Sequence, residues 1–90
     1  MDAARLPERL TVAEAGRALA ELRRTLATQS GERVALDASA LRHFDSSALA
    51  LLLELRRELQ RGGRELQVLN WPARLRDLVA AYGVAELFPA

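Results

Sequence analysis

Apolar residues recur at Val12, Ala15, Leu19, Leu22 and Leu26, at spacings of three, four, three and four. Such a repeat lines one stripe of a 3.6-residue helix and predicts an amphipathic helix over Val12–Thr28, with Arg17, Glu21, Arg23 and Arg24 mostly off the stripe. Thr11-Val12-Ala13-Glu14 reads as a capping box, the hydroxyl and the carboxylate each taking a free backbone N–H at the helix start. The period then changes. Val34 and Leu36 alternate within Arg33–Asp37, and Leu66 and Val68 within Arg64–Leu69, which predicts two short strands. Between them a second helix runs from Ser46 to Arg61, with Ala48, Leu51, Leu52, Leu55 and Leu59 on its core stripe and Gly62 as its stop. Asp45 and Ser46 open it, and Arg56, Arg57 and Arg61 gather near its end, both placements complementing the helix dipole. Pro72 suits the first turn of a third helix, whose apolar face is Leu75, Leu78, Val79 and Tyr82 and which Gly83 closes. Val84, Leu87 and Phe88 are then expected to fold back onto the core. Ahead of Thr11 only Leu6 and Leu10 point to an edge strand.

From Val34 onward the order is strand, helix, strand, helix, which argues for a βαβ unit with parallel neighbouring strands. The expectation is one α/β domain over residues 1–90: a small mixed or parallel sheet packed against three or four helices. Ninety residues do not divide into two cores. Half the residues are hydrophobic and the formal net charge is +1, which excludes a disordered tail. With 18 leucines, 17 alanines, no isoleucine and 4% aromatic residues, the core is aliphatic and suits helices better than a β-sandwich.

Composition also narrows the chemistry. There is no cysteine, so disulfides, thiolate metal sites and cysteine nucleophiles are excluded. The uncharged apolar run Ala48–Leu53 is far below the ~20 residues that span a bilayer. No long apolar stretch follows Asp2, so a secretory signal is not expected and the expected location is cytoplasmic. All 13 basic residues are arginine, interleaved with 12 acidic ones, and the electrostatic footprint of a nucleic-acid binder is missing. His43 stands alone without metal-type spacing, and Ser46 and His43 are too close in sequence to read as a hydrolase pair. Gly62-Gly63 lacks the other parts of a phosphate loop. Asp37 ends a strand, where it either binds a ligand or caps a turn; the turn is the simpler reading. Arg61, Arg64, Arg74 and Arg76 form a basic rim near the third helix or a solvated face. No catalytic constellation, metal site or cofactor site emerges.

The second helix is unusual. Leu49 and Leu53 lie off its core stripe, so its first two turns are apolar almost all round. Either neighbouring elements cover both faces, or Leu49 and Leu53 border an exposed patch that docks another protein. Asp45-Ser46-Ser47 at its start is either a helix cap or a phosphorylation site that alters that patch.

The run Val34-Ala35-Leu36-Asp37, then Phe44-Asp45-Ser46-Ser47-Ala48-Leu49 and a leucine-rich helix, resembles the STAS domain (sulfate transporter and anti-sigma factor antagonist). The likeness continues through Leu66–Asn70 and Arg74–Val84 and covers about Leu6 to Phe88. Ala50–Leu55 and the Tyr82–Phe88 ending look most like the small STAS subunit of Mla-type phospholipid ABC transporters. That resemblance implies a non-enzymatic protein that binds the ABC ATPase subunit and meets the inner membrane only through its partner. It implies a binding surface at Asp45, Ser46, Ser47 and Leu49, to which the apolar pattern adds Leu53. In the antagonist branch of the family the residue after this Asp is the phosphorylation position, here Ser46, and the partner is an anti-sigma factor kinase. Two departures stand out. The motif's usual glycine is Ala48, expected to tighten the approach of a partner's backbone, and the family's first strand is shortened or missing.

Overall fold

Thr11 accepts a hydrogen bond from the first turn, and Glu14 reaches back to the Thr11 N–H at 2.8 Å, so the capping box forms and starts α1 (Val12–Ala27). The computed structural model describes residues 4–88. Its other elements are β1 (Ala4–Arg5), β2 (Arg9–Leu10), β3 (Arg33–Asp37), β4 (His43–Phe44), α2 (Ser46–Arg61), β5 (Glu65–Leu69), α3 (Ala73–Ala81) and a 3-10 turn (Ala85–Leu87). The main sheet has the order β1-β3-β5 with both pairings parallel, and β2 pairs with β4, also parallel. The sheet expected as mixed or parallel is therefore parallel throughout the described strands. Its α/β architecture, with three α-helices, is as expected.

Alternation explains how the sheet is covered. Val34, Leu36, Leu66 and Val68 are buried, whereas Arg33, Glu65 and Gln67 between them are exposed. Parallel sheets are usually buried on both faces. Here the outer face is polar enough to stay in water, with Arg33 and Glu65 paired across it at 3.5 Å. The helices cover the other face. Ala18, Leu22 and Leu26 of α1 join Ala48, Leu51, Leu52 and Leu55 of α2 in one core, with Leu75 and Val79 of α3. On the surface Arg23 reaches from α1 to Glu58 of α2 (Nε–Oε1 2.9 Å).

Two helices end by the same device. After α2, Gly63 adopts φ +74°, its N–H bonds the Gln60 carbonyl, and the Arg64 N–H returns to the Leu59 carbonyl. After α3, Gly83 at φ +71° and Val84 repeat the pattern on Ala80 and Val79. This is the Schellman arrangement, and only a residue free to adopt positive φ closes it without strain. Gly62 is the last cap position of α2, as expected, but Gly63 supplies the left-handed turn.

Several expectations change. The N-terminal strand is shortened rather than lost: Ala4 and Arg5 pair with Leu36 and Asp37. The stretch Ala38–Phe44, read as a connection, ends in β4, because His43 and Phe44 pair with Arg9 and Leu10. Val12 is 76% exposed, since it sits at the first helical position before the stripe meets the sheet. Tyr82 is 59% exposed, because α3 stops one residue earlier and turns its ring outward. The tail behaves as expected: Phe88 is buried and meets Trp71 edge-on at 5.7 Å, and Arg56 holds the Leu87 carbonyl at 3.0 Å.

Candidate functional site

β2 runs straight into α1 and β4 straight into α2, side by side and in register. Leu10 stands opposite Phe44, so Thr11 and Asp45 follow as neighbouring caps, and Val12 and Ser46 as the first residues of the two helices. Asp45 joins the two starts. One carboxylate oxygen accepts the Ser47 N–H at 2.8 Å, the usual N-cap bond, and the other accepts the Val12 N–H at 3.3 Å. These bonds, the Ser47 one foremost, hold the Asp45 carboxyl below the ordinary aspartate range. Asp45 thus fixes the register of two helix N-termini with one side chain. The sequence legibly predicts the first bond; the second depends on the β2–β4 pairing, which no local pattern announces.

Ser46 is exposed and Ser47 half-buried on this end of the domain. Beside them Arg74 of α3 lies over the Phe44 ring, 5.1 Å from its centre. The exposed stripe along α2 continues from Ser46 through Ala50 and the half-buried Leu53 to Arg57. These positions follow at i, i+4, i+7 and i+11, one side of a helix.

Leu49 does not belong to this surface. It is 2% exposed and packs in the core, because α2 lies between α1, β5 and α3 and needs apolar side chains on more than one flank. Its assignment as an exposed docking residue is corrected: the surface it was read on is carried by Ala50 and Leu53. Ala48 is fully buried as well. Its methyl fills core space and does not stand in the way of a partner's backbone.

The remaining sequence candidates separate. Asp37 accepts from the Ser39 N–H at 2.9 Å and from the Asn70 amide at 3.0 Å, which makes it a turn cap across the ends of β3 and β5. Both bonds, the Asn70 one first, lower its pKa. His43 is exposed on β4. The basic rim is not one feature. Arg74 and Arg76 lie on α3 over Phe44 and Trp71, whereas Arg64 begins at the opposite end of β5 and binds the Gln29 and Gly31 carbonyls. Among the described residues no three His, Asp or Glu side chains converge as a metal site does, and no helix is long and apolar enough to cross a membrane.

The sequence matches the family described as "Mlab, STAS domain" over residues 3–89, nearly the whole chain. The chain belongs to the STAS domain family. A comparison with curated proteins finds no match. STAS domains are generally non-catalytic and regulatory, and the site fits that character: a capped, hydrogen-bonded helix start with an exposed hydroxyl and a modest apolar stripe. Asp45 and Ser46 lie within the matched residues, at the junction where both helices begin.

Proposed function

We propose that this STAS domain is a non-enzymatic accessory subunit that docks on the cytoplasmic ATPase of a phospholipid-transporting ABC system of the Mla type. The observation that carries the reading is the joined helix start, where Asp45 accepts the Val12 and Ser47 N–H groups and leaves Val12 and Ser46 exposed as the first residues of the two helices. Ser46, Ala50 and Leu53 form the contact stripe, and Val12 extends it onto α1. Asp45 and Ser47 act as cap and capped residue, setting the helix start beside that stripe. The match to a family described by the name Mlab supports the transporter branch over others.

The test is co-expression of the tagged chain with the ABC ATPase and permease of its own source, followed by co-purification. Stoichiometric capture is expected. Ala50→Arg, at an exposed helix position, is expected to reduce ATPase capture at least about tenfold, the effect of losing ~1.4 kcal/mol of binding. Its thermal midpoint should stay within a few degrees of the parent. Full capture by a folded Ala50→Arg chain sinks the surface assignment.

The rival reading is an anti-sigma factor antagonist switched by phosphorylation at Ser46, favoured by the exposure of that residue beside Asp45. An anti-sigma factor kinase recovered in place of the ATPase, with release on addition of ATP in the parent but not in Ser46→Ala, selects it.

A further inference from the structure

Arg56 follows Leu53 by three residues on α2, so the two share a flank of that helix. With Ala50, Leu53, Glu54, Arg57 and Gln60 it lines a shallow depression beside the contact stripe. Its guanidinium is already fixed at one corner, for Nε donates to the Leu87 carbonyl at 3.0 Å where the 3-10 turn meets α2. That bond leaves the two terminal nitrogens. Among the described residues neither makes a hydrogen bond, and no carboxylate pairs with Arg56.

The acidic groups of α2 are engaged elsewhere. Glu54 pairs with Arg57 one turn along and stands 4.0 Å from Arg23 of α1, and Arg23 forks onto Glu58. The depression is thus lined by two arginines against one glutamate, and that glutamate is shared between Arg57 and Arg23. A guanidinium is a planar fork of donors that matches the two oxygens of a carboxylate. Anchoring Nε holds that fork in place before anything binds, which lowers the ordering cost of binding. Ala50 and Leu53 beside it supply apolar surface for the body of the incoming group.

We propose that Arg56 receives a carboxylate, the side chain of an Asp or Glu, from the protein that docks on α2. The inference rests on the docking reading above and adds the chemistry of the partner: apolar contact over Ala50 and Leu53, with an acidic group seated on the terminal nitrogens of Arg56.

The experiment measures the affinity of the purified chain for the ABC ATPase of its own source, at low and at high NaCl, for the parent, Arg56→Gln and Ala50→Arg. In Arg56→Gln the amide nitrogen falls where Nε stood, so the bond to the Leu87 carbonyl is kept while the charge and both terminal nitrogens are gone. Binding at low salt is expected to weaken at least about tenfold. The parent's affinity is expected to fall more steeply with salt than that of Arg56→Gln, because only the parent retains the charge that salt screens. Should Arg56→Gln not fold, the parent alone decides, and an affinity that does not change with salt overturns the proposal. If the ATPase binds the parent and a folded Arg56→Gln equally while Ala50→Arg is impaired, the carboxylate is overturned and the docking surface stands. An ATPase that does not bind the parent overturns the docking reading and this inference with it.

Discussion

Leu49→Asp is expected to leave the chain without a cooperative fold at 25 °C. Leu49 is 2% exposed and forms part of the core between α1, α2 and the sheet. Removing a buried leucine side chain down to Ala costs ~2–5 kcal/mol. An aspartate at the same place adds a carboxylate without a partner, worth several kcal/mol more in desolvation. A domain of 90 residues holds only ~5–13 kcal/mol in total, so the substitution consumes its stability. The check is urea unfolding followed by circular dichroism: no transition for Leu49→Asp, a shifted but cooperative one for Leu49→Ala. Leu53→Asp, four residues along on the half-buried side of α2, is expected to fold. If Leu49→Asp unfolds with the parent's midpoint, the burial of Leu49 is wrong and its docking role returns.

Asp45→Ala is expected to lower the thermal midpoint at pH 7 by more than the about 4–8 °C that losing an ordinary N-cap costs a domain of this size. The effect exceeds an ordinary cap because the same carboxylate also takes the Val12 N–H, so two helix starts are loosened together. Asp45→Asn separates the bonds: its single amide oxygen can keep the Ser47 contact, while the N–H of Val12 loses its acceptor. The pH dependence follows from the direction of the shift. The folded carboxyl titrates below its ordinary value, chiefly through the Ser47 N–H, so its contribution is full above the unfolded aspartate pKa of about 4. That contribution disappears as pH falls through the lowered folded value. Parent and Asp45→Ala midpoints should therefore differ most near pH 7 and converge toward pH 2. A gap that persists undiminished in acid means that the loss is not carried by the ionised carboxylate.

Much of this architecture is legible in the residues. The Thr11–Glu14 box, the Asp45–Ser47 cap and the glycines that end α2 and α3 are local signals satisfied by bonds within a few residues, and the alternation around Val34 and Leu66 is a pattern readable along the chain. Asp45 and Ser46 likewise mark where the second helix starts. Leu49 shows where local reading stops. Its position off the main stripe is the same whether another helix covers it or a partner does, and only the placement of α2 beside α1, β5 and α3 distinguishes the two. Val12 errs in the other direction, for a stripe position is buried only if the helix has reached the surface it packs on. The short β2–β4 pair has no sequence signal, since two residues cannot display a period.

The sequence by itself therefore determined the helices, the two long strands, their parallel α/β order and the motif at Asp45 and Ser46. Those follow from hydrophobic period and from caps whose donors and acceptors are close along the chain. Tertiary structure alone decided which leucines face the core, that Asp45 also holds the start of α1, and that the Gln29 amide bonds the Ala35 backbone. Each of these joins groups that become neighbours only once the strands have paired and the helices have packed, and a one-dimensional pattern carries no record of that meeting.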